Sequence, residues 1–402
     1  MADDWRRQQR VLVTDAHAMG SVGVIRSLGR AGYRVYAAAS RPDAIGLRST
    51  FAQRALLYPS FDSNRDGFKA WLQETIEAER ISAIVPSEGM LLAIRDDYAR
   101  FRHLLPFSSD PAVVYAGMSK CDLFEAFDRP PLSARLPPFL LLRDGDPAPS
   151  AEALARLGTP LFVKVDAVYG ERGDDSVVRR CAGVDQAQAT LRRLRERYRR
   201  VVVQGFAEGI GVGVFLLRWN DRILGRFMHR RIHEVPHTGG ASSYREAWWH
   251  DAVFADARQR IEALCWQGVA MFEYRWNPAT GDFRLLEFNG RFWGSLHLAL
   301  FSGVDFPRLL LDAFYGHEEC CETFDPDTRS RWTFPREVEY VWSRLKDGGL
   351  PLAGRLGSIV EFFGLGLDPR VHSDLNFPKD RMLYLHGMAQ ALARWTGRGD
   401  RS

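Results

Sequence analysis

The chain has 402 residues, of which 46% are hydrophobic and 26% charged, and a formal net charge of +4. This length supports two or three domains, and the composition is typical of soluble globular proteins. So small a charge excess does not indicate a nucleic-acid-binding protein. Five cysteines without a CxxC spacing predict neither a disulfide framework nor a zinc site. No stretch approaches 18 uncharged apolar residues, so we expect a cytoplasmic protein without a membrane span.

Lysine is rare in this chain. Of 54 basic residues only five are lysines, so 49 are arginines. Because arginine supplies the general positive surface, each lysine is a candidate for a compact point charge with a specific task.

The first 118 residues predict a Rossmann-like domain. Predicted strands at 10–16, 33–40 and 81–86 alternate with helices that end near residue 31 and that span 64–80 and 87–101. This alternation is typical of a doubly wound parallel sheet. The first turn contains Gly20 and Gly23 without the GxGxxG spacing, so we expect no dinucleotide of its own. Glu88 follows the third strand, where such sheets present ligand-binding residues, although it could equally be a helix N-terminal charge.

The next segment places two of the lysines among apolar residues. Lys120 lies in a predicted short helix at 119–127, and Lys164 lies in a predicted strand at 160–166. A lysine in such a strand either extends from a sheet edge or points into an anion-binding site. The loop at 170–176 could cradle a phosphate through backbone N–H groups, but its acidic residues argue against that contact.

Two later stretches have a mainly structural interpretation. The arginine-rich residues 187–200 carry apolar residues at helical spacing, which predicts the solvated face of a surface helix. The alternate glycines 209, 211 and 213 share one face of a predicted strand and let something flat approach the backbone.

The residues 232–246 are predicted to form a loop. Its histidines, arginines and Gly239-Gly240 pair favour a lid that handles anions over a zinc site. Such a lid would close over a neighbouring site to exclude water.

The most informative stretch is a predicted β-hairpin at 268–295, whose turn residues are 277–282. A turn symmetric about Thr280 would place Glu273 directly opposite Glu287, where like charges repel. Asn289 lies two residues further along, on the same face. Two carboxylates and an amide oxygen suit Mg²⁺, whereas the alternative is an exposed strand face with its glutamates in solvent.

Three motifs in order resemble the ATP-grasp superfamily over residues 10–320. They are PLFVKVD at 160–166, VVVQGFAEG at 201–209 and LLEFNGRFWGS at 285–295. The resemblance implies a mixed α/β and α+β fold: a Rossmann-like pre-ATP-grasp domain at 1–118, a two-lobed ATP-grasp domain at 119–325 and a mainly helical C-terminal extension at 326–402.

The resemblance also implies roles for individual residues. Lys120 and Lys164 would contact the ATP phosphates, and His237 would lie near them. The hinge at the adenine would be formed by Gln204, Gly205, Phe206 and Ala207, and Mg²⁺, with Mn²⁺ as a substitute, would be bound by Glu273, Glu287 and Asn289. Arg291 would stabilise the transferred phosphoryl group, Glu88 would bind the amine, and Arg231 would bind a carboxylate. In the family a glutamate usually binds the ribose hydroxyls. Here Gly211 occupies that position, and Glu208 could bind the ribose instead.

The chemistry so implied is that of an ATP-dependent carboxylate–amine ligase acting on small molecules, with a homodimer as the assembly to test. The alternatives are a non-catalytic nucleotide-binding protein and an enzyme that forms acyl or carbamoyl phosphate or uses a thiol acceptor. The tail could complete the core, form an oligomer contact or shape the acceptor pocket.

Overall fold

The computed structural model describes residues 5–165, 177–237 and 240–395. The strands are β1 Arg10–Val13, β2 Arg34–Ala39, β3 Arg54–Leu57, β4 Ala83–Val85, β5 Phe139–Leu142, β6 Leu161–Val165, β7 Val178–Cys181, β8 Val201–Gln204, β9 Ile210–Trp219, β10 Arg222–Val235, β11 Ala241–Ala247, β12 Gly268–Trp276, β13 Phe283–Asn289, β14 Arg329–Arg331 and β15 Val371–Ser373. The helices are α1 Met19–Arg30, α2 Arg65–Glu79, α3 Glu88–Ala93, α4 Tyr98–Phe101, α5 Pro111–Met118, α6 Lys120–Phe127, α7 Ala151–Ala155, α8 Val184–Arg195, α9 Asp251–Ala263, α10 Leu296–Phe301, α11 Phe306–Phe314, α12 Val338–Lys346, α13 Leu352–Gly364 and α14 Met382–Trp395. Among these, none is long and apolar enough to cross a bilayer.

The N-terminal strands form a parallel sheet in the order β3-β2-β1-β4, which confirms the predicted architecture. β3 escaped prediction because it is an edge strand whose residues are mostly exposed. The strand order reverses between β1 and β4, and ligands bind at such switch points. Directly after β4, the Ser87 side chain accepts a hydrogen bond from the Met90 N–H and starts α3, so that Glu88 occupies the first turn.

A second sheet has the order β5-β8-β6-β7 and is covered by α7 and α8. On α8, Leu191 and Leu194 are buried, whereas Arg192 and Arg193 are exposed, which confirms the predicted surface helix. Lys164 lies on β6, in this sheet.

A third, larger sheet has the order β13-β12-β9-β10-β11-β14-β15 within the described residues. Its last two strands come from the segment 326–402, which was expected to be mainly helical. Both strands are three residues long and show no apolar alternation, so they could not be predicted from the pattern of residues. The C-terminal segment therefore extends the sheet that carries the hairpin.

The prediction of a loop at 232–246 was wrong. β10 continues to Val235 and β11 begins at Ala241, so these residues form the two arms of a second hairpin. Polar residues on both faces hid the strand pattern. Arg231 contacts Glu273 on one face, while His233 contacts Glu337 of the C-terminal segment at 3.1 Å.

Candidate active site

The hairpin of β12 and β13 pairs Glu273 with Glu287, as predicted, although the pairs next to the turn are shifted by one residue from a register symmetric about Thr280. The turn closes through a hydrogen bond from the Asn277 N–H to the Asp282 carbonyl, at 2.8 Å. One residue, Leu286, is extra on β13 between two aligned pairs, which makes a β-bulge. The Leu286 carbonyl accepts a hydrogen bond from Lys164 Nζ at 3.1 Å, so the bulge ties the second sheet to the hairpin.

Glu287 is surrounded by cations. Lys120 Nζ lies 3.4 Å from the Glu287 carboxylate, and Lys164 and Arg291 add their charges. Burial would raise the pKa of Glu287, but these three cations hold it below its usual value. Burial lowers the pKa of Lys164 to about 8; Glu287 opposes that shift and Lys120 adds to it. Two mutually repelling ammonium groups in a buried place are suited to binding a further anion.

Glu273 is bound by Arg231, which also contacts Glu234 at 3.2 Å and the Gly240 carbonyl at 3.0 Å. Burial opposes the charge of Arg231, yet Glu273 and Glu234 raise its pKa, so the guanidinium stays ionised. Glu234 was not identified from the sequence. A Cβ at Gly211 would lie 2.7 Å from both Glu234 Oε1 and Arg231 Cδ, so this glycine leaves room for that ion pair.

Arg291 and Glu88 meet, although 203 residues separate them. Arg291 Nε lies 3.0 Å from Glu88 Oε2, and each side chain is about a third exposed. Both line a small cavity of about 80 Å³ together with Lys120 and Asn289. The contact joins the carboxyl edge of the N-terminal sheet to the end of the hairpin, beside Glu287.

The predicted hinge residues follow β8. Gln204 is buried, and its Oε1 has no hydrogen-bond partner within the described residues. The Gly205 N–H donates to the Pro138 carbonyl at 2.8 Å, and a Cβ at this glycine would lie 2.1 Å from the Leu157 carbonyl oxygen. An open cleft of about 980 Å³ is lined by Phe206, Ala207 and Glu208, among others.

His237 lies against the C-terminal segment. Its Nδ1 is 3.0 Å from Ser343 Oγ, and its Nε2 is 2.8 Å from Asp347 Oδ2. Its neighbours Thr238 and Gly239, and the loop 170–176, lie outside the described residues.

A second histidine, His229, was not singled out from the sequence as a site residue. It pairs with Gly213 in the β9–β10 ladder, and Gly213 pairs with Glu273 in the next ladder. A Cβ at Gly213 would lie 2.7 Å from Phe215 Cζ and 2.8 Å from His229 Nε2, so two flat rings approach this glycine. The alternate glycines of β9 were the only signal of this arrangement.

The residues present fit a hard divalent cation bound together with a polyphosphate. No group of three His, Cys, Asp or Glu in the described part of the chain is arranged to hold a metal. The site instead offers Glu273 and Glu287 side by side, with Asn289 beyond them. Mg²⁺ is commonly held by one or two carboxylates plus substrate phosphates, and Lys120 and Lys164 supply the charge for such phosphates.

Comparisons with known proteins give no match to a family model or to a curated protein sequence. Solved structures do match. The L-amino acid ligase of Bacillus licheniformis is 15% identical with a TM-score of 0.57, covering 76% of this chain and 74% of its own. Biotin carboxylase of Campylobacter jejuni, in complex with β-γ-ATP, is 13% identical with a TM-score of 0.60, covering 80% and 74%.

A third is the biotin carboxylase domain dimer of the Hydrogenobacter thermophilus 2-oxoglutarate carboxylase, in complex with MgADP, ADP and bicarbonate. It is 14% identical with a TM-score of 0.58, covering 80% of this chain and 73% of its own. Identities this low establish the fold alone. The described residues place a Rossmann-like sheet before a smaller and a larger sheet, with the acidic hairpin in the larger one. The chain therefore has the fold of the ATP-grasp superfamily.

Proposed function

We propose that this protein is an ATP-dependent carboxylate–amine ligase. The observation that carries the proposal is the meeting of Glu273, Glu287, Lys120, Lys164 and Arg291 at one end of the hairpin. A similar structure is an L-amino acid ligase, and another contains MgADP and bicarbonate. The proposed substrates are ATP, a small-molecule carboxylate and an amine of a small metabolite or amino acid.

Lys120 and Lys164 are proposed to bind the ATP phosphates. Because the charge of Lys120 lowers the pKa of Lys164, an anion between them stabilises both ammonium groups. Gln204 to Ala207 would hold the adenine. Gln204 Oε1 has no hydrogen-bond partner within the described residues, so it could accept a hydrogen bond from the adenine.

Glu273, Glu287 and Asn289 are proposed to hold Mg²⁺, with Mn²⁺ as a substitute. When bound, the cation neutralises the charge on the β- and γ-phosphates. Arg231 orients the Glu273 carboxylate for this role. The resemblance also implies a contact of Arg231 to a substrate carboxylate, and Arg231 Nε, which has no hydrogen-bond partner within the described residues, could donate to it.

The proposed reaction has two steps. A substrate carboxylate oxygen attacks the γ-phosphorus, the bond to the β-phosphate oxygen breaks, and ADP leaves. The amine nitrogen then attacks the acyl carbon, phosphate leaves, and the nitrogen loses a proton as the amide forms. Arg291 would stabilise the charge on the transferred group. Glu88 orients Arg291 through their hydrogen bond, and the Glu88 carboxylate would also bind the amine.

The remaining expectations belong to the same proposal. They are a pre-ATP-grasp domain at 1–118, an ATP-grasp domain at 119–325, an extension at 326–402, a cytoplasmic location and a homodimer. The dimer of one similar domain supports the last of these. Light scattering at micromolar protein would measure it, and a molar mass of 45.6 kDa would instead indicate a monomer.

ADP release measures the proposed activity. Purified protein should release ADP from Mg-ATP only when an acid and an amine are both present. Glu287→Gln should lower this rate by about 10²-fold or more, because it removes a charge that orients the phosphates and cation. ATP binding without turnover over a broad panel of acids and amines would favour the non-catalytic alternative, and full turnover by Glu287→Gln would refute the assigned cation site.

A further inference from the structure

The outer face of the helix α13 is apolar. Of its 13 residues, all of which the structure describes, only Ser358 is buried. Large apolar side chains follow one another at helical spacing along the exposed face, and we call them the apolar stripe: Leu352, Leu356, Val360, Phe363 and, just beyond the helix, Leu367. Each of them is between 51% and 86% exposed. A surface helix normally turns its apolar face towards the core, so the orientation of α13 indicates that a further element covers the apolar stripe.

The charged residues of α13 are held by other parts of this chain. The Arg355 guanidinium donates to the carbonyls of Leu350 and Gly348, at 2.9 and 3.1 Å. The Glu361 carboxylate lies 3.3 Å from His233 Nε2. These contacts direct both charges away from the apolar stripe, which is itself uncharged.

Small residues border the apolar stripe on one side. Ala353, Gly357 and Gly364 are all exposed. A Cβ at either glycine would meet no neighbouring atom within 4 Å in the part of the chain that the structure describes. Glycine weakens a helix, and these two gain no packing inside this chain in return. They leave room for a second helix to approach α13 closely.

An apolar cavity between α12 and α13 borders the other side. Its volume is about 240 Å³, and in the described chain it is lined by apolar side chains, among them Val338, Val341, Trp342 and Leu345 on α12 and Ile359 and Phe363 on α13. A cavity of about 150 Å³ is already large enough for benzene, so this one has room for an apolar side chain. Because Phe363 belongs to both, the cavity and the apolar stripe form one continuous surface.

The exposed area matches what a stable protein interface needs. A free side chain of this size has about 150–250 Å² of surface, so the apolar stripe and Trp342, at their exposed fractions, leave about 700 Å² in water. The largest apolar patch on a typical monomer is about 300–600 Å². Two copies that cover each other would bury about 1,400 Å², within the range of about 1,200–2,000 Å² for specific interfaces.

The distribution of charge favours a second copy of this chain over a lipid surface. Helices that lie on membranes are rich in lysine and arginine on their polar face. α13 has a single arginine, which is balanced by a single glutamate. In a two-fold dimer the same patch occurs on both sides of the interface, and an uncharged apolar patch is complementary to itself.

We propose that the apolar stripe and the adjoining cavity form the interface of a homodimer. The two α13 helices run antiparallel, with the two-fold axis level with residue 358. Leu356 of each copy then lies opposite Val360 of the other, because residues exchange places across a two-fold axis. Leu352 of each copy points towards the cavity of the other. The proposal rests on the homodimer proposed above and is independent of the ligase chemistry.

The molar mass in solution tests the proposal. Light scattering of the full-length protein at micromolar concentration should give twice the chain mass of 45.6 kDa. Leu356→Lys and Val360→Glu should each give the chain mass itself. Each substitution buries an unpaired charge and should raise the dissociation constant of the dimer by about 10²-fold or more.

An equimolar mixture of these two variants tests the antiparallel arrangement. In a mixed dimer the lysine that replaces Leu356 lies opposite the glutamate that replaces Val360, and the second such position keeps its apolar pair. The mixture should therefore recover dimers, although each variant alone is monomeric.

Leu57→Lys is the matched control. Leu57 lies on the edge strand β3 and is 53% exposed, against 51% for Leu356. This variant should keep the mass of wild type. All of the variants should keep the near-ultraviolet circular dichroism of wild type, because each substituted side chain is exposed in the single chain.

Several results would overturn the proposal. They are a wild-type mass of 45.6 kDa, a dimeric Leu356→Lys, a monomeric Leu57→Lys, or a mixture that stays monomeric. Monomeric wild type that sediments with vesicles of phosphatidylcholine and phosphatidylglycerol, where Leu356→Lys does not, would make the apolar stripe a lipid-binding surface instead.

ADP release separates this failure from failure of the proposed function. A monomeric wild type that releases ADP with an acid and an amine would leave the ligase intact and refute the interface. A dimer that depends on Leu356 but never releases ADP would leave the interface intact and refute the ligase.

Discussion

Replacing Lys164 with methionine should stabilise the protein and abolish its activity. Lys164 is only 8% exposed, and burial lowers its pKa from 10.5 to about 8. A shift of that size corresponds to about 3 kcal/mol of unfavourable free energy for the charged lysine at neutral pH. Methionine keeps much of the volume but loses the hydrogen bond to Leu286, which is worth about 1 kcal/mol. The expected net gain is about 2 kcal/mol.

The pH dependence of stability identifies the cause. Because the folded-state pKa of Lys164 is lowered, the unfolded chain binds more protons between pH 8 and 10.5. The stability of wild type should therefore rise relative to the variant across that window, by up to about 1.4 kcal/mol per pH unit. Below pH 8 both states of Lys164 are protonated, and the stability difference between the two proteins should be constant.

Urea unfolding followed by tryptophan fluorescence, at pH 7 and pH 9.5, measures both quantities. The difference between the unfolding free energies of wild type and variant at each pH cancels the contribution of all other titrating groups. A variant that is less stable than wild type at pH 7, or an unchanged difference between pH 7 and 9.5, would refute the assignment of a strained buried charge. Retained ADP release would refute the phosphate role.

Three further predictions concern residues around the site. Arg291→Lys should lower turnover about 10²-fold, because an ammonium cannot reproduce the guanidinium geometry. The free energy of unfolding should change by less than about 1 kcal/mol, because the ion pair with Glu88 is partly exposed. Steady-state kinetics and urea unfolding measure the two quantities, and unchanged turnover would contradict the proposed role of Arg291. Gly211→Ala should destabilise the protein by about 1–3 kcal/mol and raise the KM for ATP, because the new Cβ would displace the side chains of Arg231 and Glu234. Unchanged stability and unchanged KM would show that these two side chains can move away without loss. His237→Ala should increase hydrogen exchange in α12, where Ser343 lies, with the KM for ATP unchanged; a tenfold higher KM would instead support the phosphate contact implied by the resemblance.

The sequence predicted those parts of the site that depend on local pattern. Turn formers between two strands predicted the hairpin, but the register next to the turn, with Tyr274 paired to Leu285, would place Glu273 opposite Leu286. The β-bulge at Leu286 is what brings Glu273 opposite Glu287. The alternation of strands and helices likewise predicted the parallel sheet and the position of Glu88 at its edge.

The remaining features depend on contacts between distant segments. The contact of Arg231 to Glu273 follows from a strand that extends beyond the predicted loop. The strand β14 is recognisable only from its pairing with β11, since three residues carry no periodicity. His229 and Arg245 were not assigned to a strand face for the same reason: a buried polar face has no apolar alternation.

The contacts between the C-terminal segment and α1 have a consequence during protein synthesis. Arg26 is fully buried, and its guanidinium is bound by Asp380, 354 residues later, and by the carbonyls of Asp374 and Leu375. At about 5–20 residues per second, a ribosome needs about 20–70 s to add that length of chain. Until then Arg26 lacks these partners, and its guanidinium is bound by water. The face of α1 that carries Arg26 therefore gains its cover only after residues 374–380 have been synthesised.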